Sequence, residues 1–173
     1  PLPGPILGPI HYSAAKDIAM QVTQARLADE PMLRPLFAAY LQFYQVPRAD
    51  AEIRAFLEQR LQRGESHILL ARDEQDQALG FVQLYPLFSS LAMRPAWLLN
   101  DLFVAPPARR QGVAQALLQA AQALGLASGA CGLQLETARD NLAAQALYER
   151  LGFVRDEQFF TYWLALPAAV CKE

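Results

Sequence analysis

The most constraining stretch of the chain is "LLNDLFVAPPARRQGVAQALLQAAQALG", residues 98–125. An apolar, strand-like run ends at Val104, and Pro106 and Pro107 break it because proline brings no N–H to a ladder. Arg109, Arg110, Gln111 and Gly112 fill the turn. Val113, Leu117, Ala121 and Leu124 then recur near the helical period and give one apolar helix face. A strand running through a tight turn into an apolar helix needs layers of sheet and helix packed on one another.

The remaining segments fit that requirement. Residues 27–45 carry Leu33, Leu36, Phe37, Tyr40, Leu41 and Tyr44 at helical spacing, with Pro31 suited to a first turn and Pro35 suggesting a kink or a later start. "RADAEIRAFLEQRLQRG" repeats the pattern, with Asp50 as its cap and Gly64 as its stop. "SHILLARD" and "ALGFVQLYP" read as a hairpin across the polar turn "DEQDQ". A loop holding Pro86 and Pro95 leads to a third strand, "AWLLNDLFV", and "CGLQLETA" is a further strand after the central helix. "NLAAQALYERLG" reads as a helix ended by Gly152, and "FVRD" and "FFTYWLAL" as closing strands. The expected fold is α+β, in three layers, with a mixed sheet.

The 173 residues, 53% of them hydrophobic, suffice for one domain with a substantial core. Residues 1–19 are set apart by Pro1, Pro3, Pro5 and Pro9, which allow neither a helix nor a central strand. They read as an arm, either native or appended before a start at Met20, and residues 20–173 as a single domain. No window reaches the roughly 18 apolar residues of a membrane helix. A net charge of −2 argues against a nucleic-acid binder and suits a local acidic cleft for a cation. The two cysteines, Cys131 and Cys171, are too few for a disulfide framework and read as thiols of a cytoplasmic protein. His11 and His67 sit in no metal-ligand spacing, so no metal is expected.

The turn carries the chemistry. A helix start offers N–H groups without intrahelical partners and the positive end of a dipole, which together hold phosphate. Gly112 and Ala114 leave the backbone approachable, and Arg109 and Arg110 add charge, so residues 109–114 read as a pyrophosphate cradle. An ordinary turn with solvated arginines is the competing reading. Neither G-x-x-x-x-G-K-[ST] nor G-x-G-x-x-G after a strand occurs, which argues against nucleotide hydrolysis and a dinucleotide fold.

Arg109-Arg110-Gln111-Gly112-Val113-Ala114 resembles the R/Q-x-x-G-x-G/A signature of the GCN5-related N-acetyltransferase (GNAT) superfamily. A second segment, Glu136–Val154, resembles that family's later motif through Asn141, Ala144, Leu147-Tyr148-Glu149 and Leu151-Gly152-Phe153. The resemblance covers roughly residues 65–166 and implies a three-layer α/β/α domain whose mixed, mostly antiparallel sheet is splayed. It implies acetyl-CoA as donor substrate. Leu102, Phe103 and Val104 would pair with its pantetheine arm through their backbone, residues 109–114 would hold the pyrophosphate, and Asn141 would touch the arm. Asn141 is equally suited to cap its helix.

The same resemblance makes Tyr148 the general acid that protonates the departing thiolate; packing of its ring on the core is the alternative. An ammonium acceptor must lose a proton before it attacks. Asp101 in the central strand and Glu136 at the end of the next are the two candidate bases. Strand alternation lets only one of Asn100 and Asp101 face the cleft. Tyr40, Tyr44, Tyr85, Phe159, Phe160, Tyr162 and Trp163 could line an acceptor site, though core packing accounts for most of them. The expected function is transfer of acetyl from acetyl-CoA to a small cationic amine in a ternary complex. A non-catalytic acyl-CoA-binding module and a protein-lysine acetyltransferase are the alternatives. The resemblance also allows a homodimer.

Overall fold

The computed structural model describes residues 8–13 and 19–166; Pro1, Pro3, Pro5 and Cys171 lie outside them. The residues form two compact units, one ending at Glu136 and one beginning at Thr137. The first contains β1 (Ile10–Ser13), β2 (Ala19–Gln24), α1 (Glu30–Phe43), α2 (Asp50–Arg63), β3 (His67–Asp73), β4 (Ala78–Ser89), β5 (Arg94–Val104), α3 (Val113–Ala127) and β6 (Leu133–Leu135). The strands form one sheet in the order β1-β2-β3-β4-β5-β6. Every neighbouring pair is antiparallel except β5–β6, which is parallel.

Both faces of this sheet are covered, as the continuous burial of Ile68, Leu69, Leu70 and Ala71 in β3 records. On one face Ile68, Leu70, Phe81 and Phe103 pack with Leu33, Leu36 and Phe37 of α1 and Ile53 and Leu57 of α2. On the other lies α3, with Val113, Leu117, Ala121 and Leu124 buried. Trp97 of β5 donates from Nε1 to Oγ of Ser128, the C-cap residue of α3, at 2.8 Å. Gly125 lets α3 approach β6 closely: a Cβ there would lie 2.8 Å from Leu133 Cδ1. The three-layer α+β architecture and the mixed, mostly antiparallel sheet are therefore as expected.

Several local readings need correction. β1 and β2 were not anticipated; among the described residues β1 is an edge strand, paired only with β2, which is how residues beside a proline-rich segment can join a sheet. The first helix opens with a 3₁₀ turn at Leu27–Asp29 and keeps Pro35 inside it without stopping. The second helix is capped by Ala49, and Asp50 is its first residue, paired instead with Arg34. Pro86 and Pro95 lie within β4 and β5 rather than in a loop, so that hairpin is longer than the sequence suggests.

The second unit holds α4 (Leu142–Arg150). Its N-terminus is capped by Asn141, whose side chain accepts from the Ala144 N–H at 3.3 Å. Gly152 follows the helix at φ +91°, a conformation that favours glycine. Residues 153–166 form no strand, contrary to the reading of "FVRD" and "FFTYWLAL". The aromatic residues of "FFTYWLAL" suit a strand by propensity, but a strand exists only where its backbone is paired, and Phe159, Phe160, Tyr162 and Trp163 are exposed.

Candidate active site

The site starts from a gap in the sheet. Among the described residues β6 pairs with β5 only at Trp97, Leu98 and Leu99, while β5 runs on to Val104 beside β4 alone. The Ala105 N–H donates to the Leu79 carbonyl at 2.9 Å, so residues 105, 103 and 101 turn their backbone groups toward β4. Leu102 and Val104 accordingly turn theirs toward the side where β6 has stopped. Phe103 does not share that orientation, and of the three residues expected to face a ligand only its neighbours do. The Val104 carbonyl accepts from Arg109 Nε at 3.2 Å.

A bulge sits at the point where the two strands part. Gln83 pairs with Asp101 and Leu84 with Leu99, which leaves Asn100 as an extra residue. Its effect on direction is visible on either side. Trp97 reaches α3, whereas Phe103, six positions on, packs among α1 and α2. Simple alternation would put both on one face; the inserted residue reverses the parity. The expectation that only one of Asn100 and Asp101 could face the cleft is thus overturned. Asn100 Nδ2 donates to Asp101 Oδ2 at 3.0 Å. The signal was present in the sequence, as two adjacent polar residues inside an apolar strand.

Asp101 is 6% exposed, and its other oxygen, Oδ1, accepts from the Tyr40 hydroxyl of α1 at 2.5 Å. Burial raises the Asp101 carboxyl pKa, against the opposing pull of the hydrogen bonds from Tyr40 and Asn100. Burial also drives the Tyr40 phenol far above its ordinary range, and the bond to Asp101 adds to the shift. Beside them, fully buried Gln83 donates from Nε2 to Ser66 Oγ at 2.8 Å and to the Tyr85 hydroxyl at 3.1 Å. Burial raises the Tyr85 phenol pKa, with the Asp101 charge adding to it. Ser66 and Gln83 were not anticipated, and neither belongs to a recognisable motif. Tyr40 also packs against Tyr44, Phe81 and Phe103, with centroids 5.0, 6.0 and 6.2 Å away.

The basic turn lies at the end of β5. Gly112 caps α3 at φ +83°, and Arg110 also has positive φ, +64°. Gln111 Nε2 donates to the Pro107 carbonyl at 2.8 Å, which draws the turn together. The Arg109 guanidinium stands 5.9 Å from the ring centroids of both Phe43 and Phe103, so it joins the turn to α1 and β5. Val113 is buried and Ala114 partly exposed at the helix start. Glu136 is exposed, one residue beyond β6.

In the second unit Tyr148 lies on α4 and is 9% exposed, with its ring centroid 5.7 Å from that of Phe153. Gln145 fastens the approach to this helix by donating from Nε2 to the carbonyls of Ala138 and Arg139, both at 3.0 Å. Asn141 has its capping role, which leaves its amide nitrogen available.

Comparison with known proteins bears on this geometry. The profile of the Acetyltransferase (GNAT) family matches residues 33–153. The chain is 42% identical over 149 residues to the uncharacterized N-acetyltransferase YhfO of Bacillus subtilis (strain 168), covering 86% of this chain and 99% of that protein. A crystal structure of a probable acetyltransferase shares 45% identity at a TM-score of 0.80, over 84% of this chain and 97% of the other. The aminoglycoside N-acetyltransferase AAC(6')-Iy in complex with CoA shares the fold at a TM-score of 0.71 and 23% identity, over 89% of this chain and all (100%) of that one. With a sheet that parts after Leu99, a glycine-capped basic turn and relatives of nearly full length, the chain belongs to the GNAT family of acetyltransferases.

Proposed function

We propose that this protein moves an acetyl group from acetyl-CoA to a small cationic amine by direct attack in a ternary complex. The observation that carries the reading is the open edge of β5, where the backbone groups of Leu102 and Val104 face the gap beyond Leu99. An extended pantetheine arm can add there as a strand would, and the N–H groups of the turn from Arg109 to Ala114 would receive the pyrophosphate. Asn141 would donate to the arm from its free amide nitrogen.

The carbonyl of the thioester then lies near Asn100 and Asp101, at the mouth of the gap. The amine attacks that carbon, the C–S bond breaks, and the thiolate takes a proton from Tyr148. Of the two candidate bases, Asp101 has the better support, since it is buried among phenols beside the gap while Glu136 is exposed. A carboxylate beside Tyr40 and Tyr85, with Tyr44 packed on Tyr40, suits a cationic acceptor. The domain would span residues 20–173 and work in the cytoplasm; among the described residues no helix is long and apolar enough to cross a membrane.

The test is thiol release from acetyl-CoA with polyamines, amino acids and lysine peptides, comparing wild type with Tyr148→Phe. Turnover with one amine class, reduced on the order of 10²-fold or more in the variant, is expected. Acetyl-CoA binding without turnover on any amine would instead favour a non-catalytic acyl-CoA-binding module. Turnover on lysine peptides alone would favour a protein-lysine acetyltransferase.

A further inference from the structure

The carboxylate in this site is difficult to reach. Asp101 is 6% exposed, Oδ1 is occupied by the Tyr40 hydroxyl and Oδ2 by the Asn100 amide. Each oxygen keeps a second lone pair, but at 6% exposure the carboxylate offers an ammonium little direct contact, and the other route runs through one of these donors. Asn100 cannot transmit a proton, because its amide nitrogen neither gains nor gives one under ordinary conditions. Tyr40 can. A phenol that donates its proton to a carboxylate keeps lone pairs on the same oxygen, ready to accept from another donor.

Tyr40 is also held for this task. Its ring packs against Phe81 and Phe103 from the sheet and Tyr44 at the C-cap of its own helix, while the residue remains partly exposed. A partly exposed side chain thus bonds the buried Asp101 oxygen. Resting on the acetyl-transfer reading above, we infer that Tyr40 relays the acceptor's proton to Asp101, so that the base acts through the phenol and not by direct contact.

The step balances. The ammonium N–H gives its proton to the Tyr40 oxygen as the Tyr40 O–H gives its own to Asp101 Oδ1. The amine becomes neutral, the tyrosine is regenerated, and Asp101 becomes a carboxylic acid. The freed lone pair attacks the thioester carbon and the C–S bond breaks. Nitrogen loses a second proton as the amide forms, matching the one the thiolate takes, and the first leaves Asp101 for solvent. Burial of Asp101 favours its neutral form, and the strongly raised phenol pKa of Tyr40 prevents the charge from stopping at the relay. Tyr44, Tyr85, Arg60 and Glu65 are the other titratable groups acting on these phenols.

The experiment uses ethylamine, difluoroethylamine and trifluoroethylamine, whose ammonium forms become steadily more acidic while size changes little, with spermidine alongside. Thiol release is measured for wild type, Tyr40→Phe and Asp101→Asn, with acetyl-CoA affinity as the check on folding. The relay predicts that both variants lower kcat/KM for ethylamine on the order of 10²-fold, and that the loss shrinks toward none for trifluoroethylamine, which reaches the enzyme already neutral. An equal loss across the series would overturn the relay and leave Tyr40 a packing residue, with acetyl transfer intact. Loss in Asp101→Asn but not in Tyr40→Phe would make Asp101 a direct base and also overturn it. No thiol release by wild type with any of the four amines would overturn the relay to a simple amine; silence on amino acids and lysine peptides as well would overturn the acetyl-transfer reading itself.

Discussion

Gly80 of β4 lies opposite Val104 of β5. A Cβ built there would lie 2.5 Å from the Phe103 carbonyl oxygen, 3.1 Å from Val104 Cα and 3.3 Å from Val104 Cγ2. An ordinary carbon–oxygen contact is about 3.3 Å. Gly80→Ala must therefore separate the strands by about 0.8 Å, and the nearest atoms are backbone, which cannot rotate away. Overpacking of this kind costs roughly 1–3 kcal/mol. For a chain of this size that lowers Tm by about 2–12 °C. The strain falls on the end of β5, between the open edge at Leu102 and Val104 and the turn at Arg109, so acetyl-CoA affinity should fall along with stability. Urea denaturation and calorimetric titration with acetyl-CoA read the two effects. A variant with an unchanged midpoint and unchanged affinity would refute the close approach and the placement built on it.

Ser128→Ala removes the acceptor of the buried Trp97 indole N–H and should destabilise by about 1–3 kcal/mol in urea denaturation, whereas a change at exposed Leu91 should not. Gly112→Ala places a Cβ at φ +83° and should cost about 1–2 kcal/mol of stability while weakening acetyl-CoA binding in the same titration. His67 is 3% exposed and burial lowers its pKa. The unfolded chain then binds the proton first, so stability should decline as pH falls below the ordinary histidine range and until the folded value is passed. His67→Leu should remove that part of the pH dependence, as unfolding midpoints between neutral and mildly acidic pH would show, at some loss from unpairing Gln24.

The elements that could be read from the sequence are those whose pattern is local. The helical spacing of Leu33, Phe37 and Leu41 and of Val113, Leu117 and Leu124 reflects one buried face, and the structure bears it out. The cap at Asn141 and the left-handed Gly152 follow from single-residue chemistry. What was missed depends on partners distant in sequence. The bulge at Asn100 exists only in relation to Gln83 and Leu84, so alternation along β5 alone gave the wrong face for one of two polar neighbours. In the sequence Tyr40 is one of several aromatics open to an acceptor site or the core, because nothing in α1 announces that Asp101, sixty-one positions on, accepts its hydrogen bond. β1 and β2 alternate over only four residues each, Ile10-His11-Tyr12-Ser13 and Met20-Gln21-Val22-Thr23, too short a run beside the prolines to read as strands without the edge that β3 offers β2.

Acetyl-CoA occupying the gap beside β5 is the central requirement of the proposed chemistry. Amide hydrogen exchange resolved by residue tests this without knowledge of the acceptor. The N–H groups of Leu102 and Val104 face the gap, while that of Phe103 faces β4. On addition of acetyl-CoA, exchange at Leu102 and Val104 should slow markedly, with Phe103 already protected in the free protein. Unchanged exchange at Leu102 and Val104 in the presence of saturating acetyl-CoA would contradict the account.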